Sequence, residues 1–257
     1  MKVVILAGGL GTRLSEETVV TPKPMVEIGD YPIIWHIMKI YSFYGFHEFV
    51  ILLGYKGYLI KEYFANYFLH QSDVTFDLAN NKIKIHDHYC EPWKITLVNT
   101  GLDTQTGGRI LHAKKYLDGE PFFLTYGDGV SNINISALLE FHQRHGKIAT
   151  VTSVQPEGRY GTIMADKNGK IVDFAEKLPG DGSWINAGFF VLENDIFEYL
   201  EDGDKTIFER KPLEKLAIDG ELYSYQHHGF WKCMDTLRDK IQLQEIWNTG
   251  NAPWEMW

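Results

Sequence analysis

An apolar run, Val3 to Leu6, stops at Ala7-Gly8-Gly9-Leu10-Gly11-Thr12-Arg13, and after a polar gap the chain reads Pro22-Lys23-Pro24. A short apolar run that ends in clustered glycines predicts a buried strand leading into a tight loop, which is where open α/β sheets place their ligands. Gly8, Gly9 and Gly11 can take φ > 0 and bring backbone N–H groups against an anion, while Arg13 and Lys23 supply positive charge. The plainer reading is a strand-to-loop turn with a surface arginine. Two cations flanking one loop, with prolines on both sides of Lys23, favour a phosphate cradle.

The cradle is not one of the two commonest kinds. Gly9-Leu10-Gly11-Thr12-Arg13-Leu14 begins like the dinucleotide fingerprint but places Leu14 where the third glycine belongs, and no G-x-x-x-x-G-K-[ST] run occurs. Neither a hydride-transfer site nor a P-loop is therefore expected. A chain of 257 residues with 44% hydrophobic content buries one substantial core, so a single domain over 1–257 is expected. The net charge of −9 argues against a nucleic-acid surface and makes the few placed cations matter. Cys90 and Cys233 have no metal-site or disulfide spacing, which fits a reducing, cytoplasmic setting. No leader and no membrane-spanning run is read.

Along the chain, Asp30-Tyr31-Pro32 predicts a helix start, with Asp30 capping and Ile33, Ile34, Ile37, Ile40, Tyr41 and Tyr44 at helical spacing. Glu48 to Leu53 reads as a second parallel strand, Gly57 to His70 as a helix, and Lys94 to Asn99 as a further strand. Gly54 to Tyr58 reads as a plain βα loop with a solvated lysine at Lys56. Between helix and strand, 72–92 reads as an antiparallel excursion with exposed edges, expected to mediate subunit contact. His86 and His88 share a strand face, and His227-His228 are adjacent, but neither pair has a third ligand at a recognisable spacing.

Thr104-Gln105-Thr106-Gly107-Gly108-Arg109 predicts a helix start whose backbone donors face a nucleotide, with an ordinary capped helix as the alternative. Phe122 to Thr125 predicts a buried strand ending in Tyr126-Gly127-Asp128-Gly129, which puts Asp128 at a strand's carboxyl end with room for Mg²⁺. A turn aspartate is the competing account. The second half carries a helix over 134–146, strands over 148–154, 160–166, 170–176, 184–192 and 221–226, and a last helix over 235–248. Trp254 or Trp257 is expected to pack against the body or a neighbour.

The text L-A-G-G-L-G-T-R-L followed by T-P-K-P-M-V resembles the sugar-1-phosphate nucleotidyltransferases at every signature position. Flanking segments, among them Gly54-Tyr55-Lys56-Gly57-Tyr58, Thr106-Gly107-Gly108-Arg109 and Met234-Asp235-Thr236-Leu237-Arg238-Asp239, bring the resemblance nearest to the branch that uses CTP and glucose 1-phosphate. The resemblance implies a Rossmann-like α/β fold, a mixed but mostly parallel sheet flanked by helices, with a nucleotide-binding half to about residue 130, a sugar-binding half after it, and Gly54 and Lys56 as base-site candidates. It implies nucleotide binding by Leu6, Ala7, Gly8, Gly9, Leu10, Gly11, Thr12, Arg13, Lys23, Thr104, Thr106, Arg109 and Gly127. Arg13 and Lys23 are its catalytic cations, and Asp128 and Asp235 its Mg²⁺ ligands. The sugar phosphate is assigned to Tyr126, Glu176, Lys177, Asn186 and Gly188, with Gly158-Arg159-Tyr160-Gly161 completing the pocket, and a homohexamer is implied. Uridylyl or thymidylyl transfer, a silent nucleotide-sugar-binding module and a metal-dependent glycosyltransferase stand as alternatives. The last has no need of the glycine loop.

Overall fold

The computed structural model describes the chain except residues 12–13, 15–17, 19, 89, 157–161, 166, 168–169 and 176–182, with residues 87–88, 162–165 and 173–175 described by their backbone alone. Seven strands make the central sheet: β1 (Lys2–Ala7), β2 (Glu48–Leu53), β3 (Lys94–Asn99), β4 (Phe122–Tyr126), β5 (Ala149–Val154), β6 (Ile185–Leu192) and β7 (Leu222–Gln226). They lie in the order β7-β5-β6-β4-β1-β2-β3. All neighbours are parallel except β6, which runs against both β4 and β5. The described helices are α1 (Ile33–Phe43), α2 (Gly57–His70), α3 (Thr106–Ala113), α4 (Ile135–His145), α5 (Lys211–Ile218) and α6 (Leu237–Asn248).

Successive side chains of a strand point to opposite faces, and at the centre of this sheet both faces are covered, so β1, β2 and β4 are largely apolar along their length. Val3, Ile5, Phe49, Ile51, Phe123 and Val191 pack under α1, Leu243 of α6 and Trp254. Val4, Leu6, Val50, Leu52, Leu124 and Phe190 pack on the other side against Ile110, Phe208 and Leu216. The chain leaves β1 for β2 on one side and later returns to β4 on the other, so the sheet's switch point lies beside β1. The carboxyl ends of β1, β2, β3 and β4 open on one edge, which places Gly8, Gly54, Thr100 and Gly127 together.

The expected elements agree in place with the observed ones except at α1. That helix begins at Ile33 with Pro32 as its N-cap at φ −65°, ψ 150° and no side-chain cap. Asp30 sits instead in the turn of a two-residue hairpin, Glu27–Ile28 with Tyr31–Pro32. Proline's extended backbone supplies the geometry before the first turn, so no capping side chain is required. The 72–92 excursion is a hairpin of Ser72–Asp77 and Lys82–His88, paired Val74 to Ile85 and Phe76 to Ile83. Trp254 is fully buried, and Cys90 and Cys233 are unbridged. Among the described residues, no helix is long and apolar enough to cross a membrane.

Candidate active site

At the switch point lies a cleft of about 410 Å³, lined by Leu6, Ala7, Gly8, Gly9, Leu10, Gly11, Lys23, Thr104, Thr106, Arg109, Tyr126, Gly127, Asp128 and Asp235. All of these come from the predicted set. Pro24, Leu102 and Gln105 complete the lining. Thr12, Arg13, Glu176, Lys177 and the 158–161 segment fall outside the described residues.

Lys23 is aimed by its prolines. Pro22 caps a single 3-10 turn over Lys23–Met25, closed by the Met25 amide donating to the Pro22 carbonyl at 2.8 Å. With φ fixed on both sides, the lysine stem has one exit, toward the cleft. Its ammonium donates to Asp128 at 2.6 Å and to Asp235 at 2.7 Å. Burial disfavours that charge, but the Asp128 carboxylate and the hydrogen bonds to both aspartates outweigh it and hold the lysine well above its usual range.

The two aspartates are distant in sequence and meet through one strand pairing. Gly129–Ser131 runs antiparallel to Trp231–Cys233, with Cys233 opposite Gly129, and the Met234 amide donates to the Asp128 carbonyl at 2.8 Å. The register therefore delivers the residues just outside it, Asp128 and Asp235, to one point. Cys233 joins them: ligand atoms of Asp128, Cys233 and Asp235 all lie within 4.8 Å of one another. Burial, and next the Asp128 charge, raise the Cys233 thiol well above its usual range. Sequence reading set this cysteine aside; it is the last residue of its strand, two before Asp235.

Two partly open carboxylates already grip a cation, the Lys23 ammonium, and they carry one negative charge more than it neutralises. Hard oxygen donors in that number, beside space for phosphate, suit Mg²⁺.

The glycine loop departs from expectation in detail. Of Gly8, Gly9 and Gly11 only Gly11 takes a positive φ, at +66°. Gly8 is needed for a different reason, because a Cβ there would come within 2.3 Å of the Arg109 guanidinium. Arg109 was expected beside phosphate. It is 5% exposed and donates to the carbonyls of Gly8 (3.1 Å), Leu53 (3.2 Å), Gly101 (2.8 Å) and Leu102 (3.2 Å), and to the Thr100 hydroxyl. It lines the cleft and at the same time clasps the loops after β1, β2 and β3 together.

The start of α3 also engages its donors within the chain. The Gln105, Gly107 and Gly108 amides donate to the carbonyls of Asp204 and Thr206, so these helix-start donors are spent within the chain. The reason is the segment after β6, whose 3-10 turn Gly203–Lys205 packs across the helix end. Thr104 donates to the Thr100 carbonyl at 2.5 Å. Lys56 is turned away to the Val20 carbonyl at 2.9 Å.

On the other flank, the Tyr126 hydroxyl donates to Glu209 at 2.7 Å and accepts from the Asn186 amide at 3.4 Å. Gly188, at φ +82°, allows this, since a Cβ would fall 2.3 Å from the Tyr126 ring. Thr106 donates to the second oxygen of Glu209 at 2.6 Å. Glu209 was not foreseen, because nothing in Phe208-Glu209-Arg210 sets it apart from a surface acid.

The model of the family described as "Nucleotidyl transferase" matches residues 2–245. Among relatives, the "Glucose-1-phosphate cytidylyltransferase" of Salmonella typhimurium strain LT2 is 55% identical, with all of both chains covered. The "Probable glucose-1-phosphate cytidylyltransferase" of Bacillus subtilis strain 168 is 48% identical, again over all of both. Among solved structures, HddC from Yersinia pseudotuberculosis superposes with a TM-score of 0.69 at 25% identity, covering 96% of this chain and 99% of the other. A UDP-glucose pyrophosphorylase complexed with UDP-glucose shares the fold at a TM-score of 0.69 and 20% identity, covering 97% and 98%. A cleft at the switch point of a mostly parallel sheet, with a proline-braced lysine bridging two aspartates, thus sits in a chain that belongs to the nucleotidyl transferase family.

Proposed function

We infer that this enzyme transfers CMP from CTP to glucose 1-phosphate, giving CDP-glucose and pyrophosphate, with Mg²⁺ held by Asp128 and Asp235. The observation that carries the reading is the Lys23 ammonium fixed between those two carboxylates at the mouth of the glycine loop. The obstacle to the reaction is charge, because two polyanions must meet. A phosphate oxygen of the sugar phosphate attacks the α-phosphorus, the new P–O bond forms as the α–β bridge bond breaks, and pyrophosphate leaves with that electron pair. The attacking oxygen is already ionised, so no general base is required. Lys23 meets the charge that develops on the α-phosphoryl group, and amides of the Gly8–Gly11 loop face the triphosphate. Bound Mg²⁺ adds charge neutralisation between the phosphates. Arg13 is kept for the departing pyrophosphate, and Glu176 with Lys177 for the sugar phosphate, on sequence grounds. Base choice is drawn from the relatives at 48% and 55% identity.

Coupled pyrophosphate release with CTP, UTP and dTTP against glucose 1-phosphate tests the reading. CTP should be preferred, and Lys23→Ala and Asp128→Asn should each lose about 10²–10³ in kcat, the loss expected of one preorganised electrostatic group. Near-normal turnover in either variant removes the role given to that residue.

We also propose a homo-oligomer, a hexamer by resemblance, assembled through the 72–92 hairpin. Its register puts Val74, Phe76, Ile83 and Ile85 on one face, where Phe76 is 55% and Ile83 60% exposed. A two-stranded sheet with one bare apolar face is marginal in water. Replacing 72–88 by a short glycine-serine turn should lower the mass in light scattering, and an unchanged mass rejects this assembly.

A further inference from the structure

Glu209 stands behind the cleft and takes one hydroxyl proton on each oxygen, from Tyr126 at 2.7 Å and from Thr106 at 2.6 Å. Both bonds have the short length of charge-assisted contacts. Thr106 is fixed further by accepting the Phe208 amide at 2.9 Å, so its proton has no other direction to take. A carboxylate accepts at both oxygens and donates at neither, which makes it the one side chain of this length that commits both hydroxyls at once. Tyr126 and Thr106 both line the cleft, Thr106 at the start of α3 and Tyr126 at the end of β4 beside Asn186 and Gly188.

The consequence falls on Tyr126. Its phenolic proton points away from the substrate space, so what it offers there is lone pairs alone. We propose that Glu209 is a positioning residue that sets the polarity of the Tyr126 hydroxyl, making it an obligate acceptor for one hydroxyl of the sugar. A sugar hydroxyl donates into that acceptor. A substrate lacking that hydroxyl leaves it unmatched, and a site built around a hydrogen-bonding group rejects such analogues strongly. The Tyr126 phenol is raised well above its usual range, by burial and then by the Glu209 charge, so it keeps the proton it donates across the working pH range. The inference rests on the sugar-phosphate reading of the Tyr126, Asn186 and Gly188 flank.

The test measures kcat/KM at saturating CTP for glucose 1-phosphate, its 2-, 3-, 4- and 6-deoxy analogues and the matching deoxyfluoro analogues, in the wild type, Glu209→Leu and Tyr126→Phe. In the wild type one position should carry a penalty of tenfold or more for both replacements, since neither hydrogen nor fluorine donates to Tyr126. Glu209→Leu frees the phenolic proton to meet fluorine, so the fluoro penalty at that position should fall below threefold while the deoxy penalty stays; Tyr126→Phe removes the oxygen, so both should fall below threefold there while the other positions keep theirs. A merely structural glutamate would lower all substrates by one common factor, and unchanged ratios in Glu209→Leu overturn the proposal. So does a wild type with no selective position, or a fluoro penalty that collapses in Tyr126→Phe alone. Should the leucine variant not fold, Glu209→Met, which likewise has no oxygen to take the phenolic proton, replaces it with the same outcome required. A wild type that turns over no sugar 1-phosphate instead sinks the sugar-phosphate reading and is distinguishable at once.

Discussion

Arg109 shows how far a residue's type underdetermines its use. An arginine directly after a Gly-Gly pair, on a helix facing a nucleotide site, invites a phosphate contact. The chain instead supplies it with four carbonyls and a hydroxyl, and its fork reaches the ends of three strands at once. A lysine has three donors and no fork, so Arg109→Lys leaves buried carbonyls unanswered. We expect it to cost about 3 kcal/mol of stability, from unsatisfied acceptors worth about 1–3 kcal/mol each, and to raise the KM for CTP because the Gly8 loop loses its backing. Urea denaturation measures the first and steady-state kinetics the second. A phosphate ligand in the usual sense would raise KM and leave the denaturation midpoint where it is, which is the outcome that would restore the sequence reading. Lys23 and Asp128 were legible because their neighbours dictate them: prolines brace the one, and a strand end aims the other. Glu209 was not legible, because its importance lies in two hydroxyls brought to it from distant elements.

Among elements, the last helix decides whether the second aspartate stays in place. Asp235 directly precedes the N-cap of α6, where Thr236 accepts the Asp239 amide and Asp239 accepts the Thr236 amide, a reciprocal capping box. Burial acts against the Asp239 charge, but the Thr236 hydroxyl and amide, with Lys232, hold its carboxyl below the usual range. A depressed folded pKa gives stability that is present above the unfolded value near 3.8 and is lost as pH falls through the folded one. Thr236→Ala should therefore cost about 1 kcal/mol at pH 7 and about 2–4 °C in Tm. The gap to the wild type should narrow below pH 4, and a gap independent of pH would deny the box its part. The strands and helices of the sheet were readable in sequence because period-2 and period-3.6 apolar patterns survive without context. The 3-10 turns between β6 and α5 carry no such period, so the segment that caps α3 and delivers Glu209 went unread.

At the scale of the whole molecule, the chain's end packs against α1 around a neutral imidazole. His36, on α1, is completely buried among Trp35, Trp247, Trp254 and Trp257. Its Nε2 lies 2.9 Å from the Ile28 carbonyl, and its Nδ1 accepts the Trp254 indole N–H at 3.4 Å. A carbonyl on one nitrogen and an indole donor on the other require the Nε2–H tautomer; a second proton would set N–H against N–H. Burial pushes the imidazole down to about 4, against the opposing pull of the Ile28 and Tyr31 backbone. Between pH 6.5 and 4 the unfolded chain takes this proton and the folded chain refuses it. Stability therefore falls as pH drops through that window and levels off below it, by on the order of 3 kcal/mol if the whole shift is expressed. His142 and His227 are lowered as well, so the wild-type curve alone does not isolate the effect. The difference between wild type and His36→Gln does: denaturation midpoints should converge as pH falls from 7 to 4, with red-shifted tryptophan emission in the wild type as the tail lets go. Parallel curves across that range would mean that this imidazole does not hold the tail by its charge state.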